Sequence, residues 1–286
     1  MIKFYDKIGS LKPKNRIFLA PMADVNDLAF RELCKEAGAG LVYTGMVSPL
    51  NKKDLTSDLK DRPAIQLFCT NDKEISDFMK KYDSLVSLWD FNLGCPAKVA
   101  KECGFGSFMH NKLGDIEKIL KTMRENTNLP ITIKLRKSKQ ALKIAKLAEK
   151  YCDAICIHPR TKEQGYSGEA DIKFAEQLKK RIKLPIIYSG DVNELNCNDL
   201  LNKFDFVMIG REAMGNPNIF SILTGNKEKY EFNDYILLAE KHRIKFKDIK
   251  MQAMYFTKKN ERAKEMRMKI VRAKTINELK EIFKTK

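Results

Sequence analysis

A chain of 286 residues with 43% hydrophobic content can fill one large α/β domain with an appendage, or two domains, and none of its apolar runs approaches the length of a membrane span. Its seven cysteines are odd in number and scattered, which excludes a disulfide framework and a paired CxxC zinc site; no metal site is expected. With no apolar h-region in Met1-Ile2-Lys3-Phe4-Tyr5-Asp6, no secretory signal is read, and a cytoplasmic, membrane-free, monomeric protein is expected.

The net charge is +17 and unevenly spread. Residues 229–286 carry 17 Lys and Arg against 8 Asp and Glu, an excess about four times denser than in the rest of the chain. A solvated helical face is the ordinary explanation of a charge run, but an excess this large favours a polyanionic partner, most commonly nucleic acid.

In chain order, eight apolar runs of strand length precede residue 212: Ile17–Ala20, Leu41–Thr44, Ala64–Leu67, Leu88–Leu93, Ile131–Leu135, Ala154–His158, Ile186–Ser189 and Phe206–Ile209. They are continuous rather than alternating, as strands buried on both faces are. Helical patterns fill most gaps, at Asp27–Ala37, Lys73–Lys81, Asp115–Glu125, Lys139–Tyr151, Ile172–Ile182 and Val192–Asn202. The repetition predicts a (β/α)8 TIM barrel; a doubly wound open sheet is the alternative, though no GxGxxG follows the first strand. Cys152, Ala154 and Cys156 are read as one core-facing row.

After Phe220 the strands stop. Tyr235–Ile249, Met251–Phe256 and Glu261–Ile282 read as helices, and Thr224-Gly225-Asn226-Lys227 as a boundary, giving a barrel over 1–225 and a small basic helical domain over 226–286.

Active sites of such barrels form at the C-terminal strand ends. There the chain places Ala20-Pro21-Met22, Gln66, Asn92 and Cys95, Lys134 and Arg136, His158 with Arg160, Ser189-Gly190-Asp191, and Gly210-Arg211. Each alone has an ordinary explanation: Lys134 as a solvated strand end, His158 as a core imidazole, Cys95 as a small buried hydrophobe. Their shared placement points to a site. Cys95 follows a strand and a Gly and precedes Pro96, so its thiol sits on a restrained backbone suited to meeting a substrate atom. The segments after strands seven and eight lie where barrels commonly hold phosphate, glycines admitting the anion to backbone N–H groups and Arg211 adding a bidentate contact.

These motifs carry a resemblance. Ala20-Pro21-Met22 with Asp27, Asn92-Leu93-Gly94-Cys95-Pro96 with Gly104-Phe105-Gly106, Ile133-Lys134-Leu135-Arg136, Ile157-His158-Pro159-Arg160-Thr161, Ser189-Gly190-Asp191, Gly210-Arg211 and Gly215-Asn216-Pro217-Asn218-Ile219-Phe220 occur in the order seen in the tRNA-dihydrouridine synthase family, from about residue 15 to 222. The basic tail is similar to that family's RNA-binding domain, although Glu265-Met266-Arg267-Met268-Lys269 matches its Arg- and Lys-rich helix only in part. Asn26, Pro159 and Ser189 stand where the family usually has Thr, Gly and Asn.

The resemblance implies FMN, NAD(P)H as reductant, and reduction of the C5–C6 double bond of a uridine in tRNA. It implies that Pro21, Met22 and Gln66 line the flavin, that Lys134 and His158 contact its ring or ribityl chain, and that Ser189, Gly190, Asp191, Gly210 and Arg211 surround its phosphate. Asn92 and Arg160 would touch or position the uridine, and Cys95 would be the proton donor. RNA contacts are expected from Arg243, Lys258, Arg262, Arg267 and Lys269, together with Lys245, Lys247, Lys259 and Arg272. The alternative is a flavin-dependent oxidoreductase of small pyrimidines, which leaves the basic tail unexplained.

Overall fold

The computed structural model describes residues 4–258 and 260–284. Strands β1 (Ile17–Leu19), β2 (Leu41–Val47), β3 (Ala64–Leu67), β4 (Leu88–Leu93), β5 (Ile131–Arg136), β6 (Ala154–His158), β7 (Ile186–Ser189) and β8 (Phe206–Ile209) pair in sequence order. All pairs are parallel, and β8 closes on β1. The sequence-based barrel is therefore the observed one. β2 runs three residues past its expected end, because its register against β3 shifts between Tyr43 and Met46. Gly45 lies in that bulge, where a Cβ would stand 3.2 Å from Met22 O.

The helices around the barrel are α1 (Leu28–Glu36), α2 (Ile75–Tyr82), α3 (Lys98–Cys103), α4 (Leu113–Glu125), α5 (Ala141–Ala148), α6 (Ile172–Arg181), α7 (Cys197–Leu201) and α8 (Asn218–Thr224). Asp27 and Asp171 cap α1 and α6 by accepting from Phe30 N and Phe174 N. The pattern over Val192–Asn202 yields only α7. Asn193 Oδ1 accepts from Leu195 N and Asn196 N, and Asn196 Nδ2 donates to Asp191 O, holding that stretch as a turn. Helix α3 was not anticipated; Gly104, at φ +77°, ends it.

Alternate strand residues face inward and change character along the barrel axis. At one end Phe18, Leu41, Ala64, Leu88, Ile187 and Phe206 form a dry interior cluster. Ile8 and Leu11, bridged in a tight turn, pack against that cluster. Toward the C-terminal ends the same rows continue as Gln66, Asp90 and Asn92, Lys134, His158 and Ser189. Apolar packing thus ends where the polar floor begins. Ala154 and Cys156 belong to the inner cluster, whereas Cys152, just before β6, joins the outer one. The row expected from their spacing holds for two of the three.

The C-terminal segment forms four helices rather than three: α9 (Phe232–Lys241), α10 (Phe246–Phe256), α11 (Ala263–Arg272) and α12 (Ile276–Lys284). A positive φ at Arg243 breaks the first expected helix. The last one breaks at Ala273, whose extended ψ leads to Thr275, where Thr275 Oγ1 accepts from Glu278 N. Gly225, at φ +73°, ends α8. The helices nonetheless share one apolar core with the barrel's outer shell, through Tyr235, Ile236, Ala239, Ile249 and Ala253. Polar ties reinforce it: Tyr235 Oη and Gln252 Nε2 both donate to Asp27 Oδ2, at 3.1 and 3.0 Å, and Gln252 also donates to Val25 O.

Gly215 sits at φ +67° with its missing Cβ facing the α10 backbone, 2.1 Å from Tyr255 C. Gly215→Ala should therefore unseat α10 and lower stability by roughly 2 kcal/mol or more. Thermal unfolding and limited proteolysis of the tail measure it; a variant as stable as the parent contradicts this packing.

Candidate active site

A cavity of about 480 Å³ opens at the C-terminal ends of the strands. Of the residues expected there, Pro21, Met22, Gln66, Asn92, Cys95 and Lys134 line it on one side of the barrel order. His158, Ser189, Gly190, Asp191, Gly210 and Arg211 line the rest. Strands four and eight are diametrically opposed in an eight-stranded closed barrel, so Cys95 faces Gly210 and Arg211 across the mouth.

The Cys95 segment is held from both sides. Asn92 Oδ1 accepts from Gly94 N and Cys95 N at 3.1 and 3.0 Å. Ser107 N and Oγ both donate to Cys95 O, at 3.1 and 2.9 Å. Gly106, at φ +63°, packs where a Cβ would be 2.8 Å from Cys95 O, so only glycine permits this approach. Arg136, fully buried, donates from Nε to Gly94 O at 2.8 Å and from Nη1 to Thr161 O and Gly165 O. It thereby ties the thiol's segment to the loop after β6.

Asn92 is itself oriented. Its Nδ2 donates to Gln66 Oε1 at 2.7 Å, Gln66 Nε2 donates to Asp90 Oδ2 at 2.6 Å, and Thr132 Oγ1 donates to Asp90 Oδ1 at 2.6 Å. Burial pushes the Asp90 carboxyl up to about 6, against the Thr132 and Gln66 hydrogen bonds and the Lys134 charge, which favour the anion.

Across the mouth, the segment after β7 turns through Gly190 at φ +141°, where a Cβ would meet His158 Cδ2 at 3.1 Å. Asp191 follows at φ +51° and accepts from Arg160 on one oxygen and from Arg211 Nη2, at 2.5 Å, on the other. Burial favours the neutral acid, but the two guanidinium groups outweigh it and hold Asp191 below the usual carboxylate range. His158 is pushed down to about 2, first by burial and then by Lys134, Arg136, Arg160 and Arg211, so its imidazole is neutral. An anion is the ligand that this concentration of cations around backbone-open glycines suits.

Arg160 is not among the lining residues. It is 2% exposed and works from behind the wall, bonding Asp191, Ser167 O, Gly168 O and the His158 ring. The tail cations also lie outside the cavity. Arg243 is exposed in the turn before α10, Lys258 Nζ donates to Arg211 O at 2.6 Å, and Arg267 Nε donates to Thr257 Oγ1 at 2.8 Å. Arg262 and Lys269 both pair with Glu265, whose carboxyl they pull down to about 2. Lys245, Lys247 and Arg272 are exposed; Lys259 lies outside the described residues.

Two aromatic lining residues escaped the sequence reading. Tyr166 is 59% exposed at the tip of the loop after β6, with the Arg136 and Arg211 guanidinium carbons 5.3 and 5.0 Å from its ring centre. Its signal was an aromatic enclosed by Gln164-Gly165 and Ser167-Gly168 in a polar loop. Tyr255 reaches the cavity from α10. Nothing distinguished it within Met254-Tyr255-Phe256, an apolar helical run.

The closed barrel is shared with flavoenzyme-type barrels: the solved old yellow enzyme homologue from Zymomonas mobilis superposes with a TM-score of 0.57 at 11% identity, over 80% of this chain and 94% of that one. At that identity the likeness speaks for the fold alone. The family described as Dihydrouridine synthase (Dus) matches residues 18–285. Among curated relatives, a probable tRNA-dihydrouridine synthase of Rickettsia bellii is 33% identical over 235 residues, spanning 75% of this chain and 72% of the relative. tRNA-dihydrouridine synthase B of Escherichia coli K12 is 31% identical over 258 residues, spanning 83% and 80%. The chain belongs to the dihydrouridine synthase family.

The buried carboxyl makes a pH prediction. Asp90 titrates near 6 when folded and near 3.9 when unfolded, so between those values the folded state binds more protons and stability falls as pH rises. Asp90→Asn should remove a penalty that grows above about pH 4 and levels off at about 3 kcal/mol roughly one unit above pH 6. Melting curves from pH 4 to 6.5 should show the variant gaining on the parent throughout; a constant difference contradicts the assignment.

Proposed function

We propose that this chain reduces the C5–C6 double bond of a uridine in tRNA, with FMN as resident cofactor and NAD(P)H as reductant. Family membership supports the reading, and one observation carries it: a cysteine thiol on a doubly clamped backbone faces an anion cradle across a single cavity.

The residues fit FMN. Gly190 turns at a φ of +141° close against His158 and Ala170, where no side chain fits, and Gly210 has no Cβ to intrude beside Arg211, so a phosphate can approach backbone N–H groups there. Ser189 adds a hydroxyl and Arg211 a guanidinium held by Asp191. Pro21, Met22 and Gln66, which line the same cavity, would hold the flavin ring. Bound there, FMN would supply the reducing chemistry for the uridine double bond.

The chain's own residues supply the rest. Cys95 Sγ holds the proton for C5, and the backbone that carries it is fixed because both its N–H and its C=O are bonded. Lys134 places a cation on the wall, where charge developing on the reacting groups is stabilised. Neutral His158 accepts from Arg160 on Nε2, so its proton sits on Nδ1 and it donates one hydrogen bond without adding charge. Tyr166, backed by Arg136 and Arg211, offers an aromatic face to an extruded base. Tyr255 closes the side of the cavity nearest the tail, so the basic helices that hold the RNA backbone also shape the chamber its base enters.

Cys95→Ala should slow oxidation of the reduced enzyme by tRNA by about 10²–10⁴-fold and leave reduction by NAD(P)H near normal. Single-turnover flavin absorbance separates the two halves; tRNA-driven oxidation at parental speed excludes Cys95 as the proton donor. Replacing exposed Arg243, Lys245 and Lys247 together with Ala should weaken tRNA binding and lower the log–log salt slope by roughly 2 to 3. An unchanged slope removes the tail turn from the RNA surface.

A further inference from the structure

A second cavity, of about 350 Å³, lies beside the first at the same end of the barrel. Its walls come from the segments after β4, β5 and β6. The two cavities share a partition: Arg136 lines one and Lys137 the other, and Ser107, on the second, is the residue that bonds Cys95 O. We propose that this second cavity binds a phosphodiester and adjoining ribose of the RNA strand next to the uridine in the first. The inference rests on the tRNA reading above.

The charges favour an anion. Lys137 is committed to Asp171 at 2.6 Å, but Lys139 is exposed with no ion-pair partner among the described residues. Lys162 lies with its ammonium 5.0 Å from the centre of the Phe108 ring. Its nearest carboxylate is Glu163, at 4.0 Å, which also lines the cavity and opposes an anion. Two cations against one carboxylate leave a net positive recess.

A ribose is indicated by a different atom. Gln140 Oε1 is buried on this wall without a hydrogen-bond partner. An acceptor left so is costly, and a turn of the partly exposed Gln140 side chain presents it to a donor in the cavity; a ribose 2′-hydroxyl, which DNA lacks, is such a donor. His110 is not available to compete, since its ring nitrogens are engaged by Leu93 O and Ser138 Oγ, each at 2.7 Å. It serves as a strut that fixes Ser138 on the rim. A ligand here would press on the segment that carries the thiol, so correct seating of the flanking nucleotide would be felt at Cys95.

The test uses the FMN-loaded full chain, tRNA titrated over a salt series, and NAD(P)H titrated in the reductive half-reaction. Lys139→Ala with Lys162→Ala should weaken tRNA binding about tenfold and lower the salt slope by roughly 1 to 2, with the NAD(P)H KM unchanged. Glu163→Gln should tighten tRNA binding, an effect that no folding defect can imitate. Gln140→Leu should weaken an RNA hairpin and not its DNA counterpart. A full salt slope in the double variant of an enzyme that still reduces tRNA overturns the site alone. A raised NAD(P)H KM with an unchanged slope also overturns it, assigning the recess to a dinucleotide phosphate. A parent protein that leaves tRNA unreduced overturns the tRNA reading and this inference together.

Discussion

The structure depends on one chain of directional hydrogen bonds, from Thr132 through Asp90, Gln66 and Asn92 to the backbone of Gly94 and Cys95. Asp90 has only acceptors to offer when ionised, so both Thr132 and Gln66 must point donors at it. That fixes which end of the Gln66 amide faces Asn92, and this in turn fixes which end of Asn92 is free to receive two backbone N–H groups. The thiol's position is therefore set from the interior of the barrel. A carboxylate in such a place is costly by itself, and its partners on neighbouring strands compensate it.

The tail is basic on its surface and apolar beneath, and the apolar part is continuous with the barrel. Asp27 illustrates the coupling. It caps α1 and receives Tyr235 and Gln252 from two tail helices, while burial raises its carboxyl above the usual range in spite of these bonds. The residues just before it, Met22, Ala23 and Val25, line the cavity. Asp27 thus joins two tail helices to the backbone segment that lines the mouth. The composition boundary near 225 is visible as a change of pattern and as the left-handed Gly225, without being a boundary of packing.

Much of the barrel was legible because parallel strands buried on both faces leave short continuous apolar runs, and all eight stood in the sequence. The polar strand ends were legible for the complementary reason: a Gln, an Asn or a Lys within such a run has no place in a dry core. What escaped depended on long-range contacts. The bulge in β2 arises where Gly45 meets Met22, and the brevity of α7 comes from Asn side chains competing for the backbone. Tyr255 is indistinguishable from a core residue until α10 is docked. Arg160 was readable as a site residue, but its place behind Asp191 was not, since an Arg two residues after a strand can turn either way.

The stoppered end of the barrel has a kinetic consequence. Phe18, Leu88 and Phe206 fill the shaft below the polar floor, and the Ile8–Leu11 turn packs against them. Among the described residues, the polar floor opens at the C-terminal strand ends, opposite this plug. If a nicotinamide dinucleotide and an RNA loop must each reach that floor, they form a queue, and a surplus of either becomes an obstacle to the other.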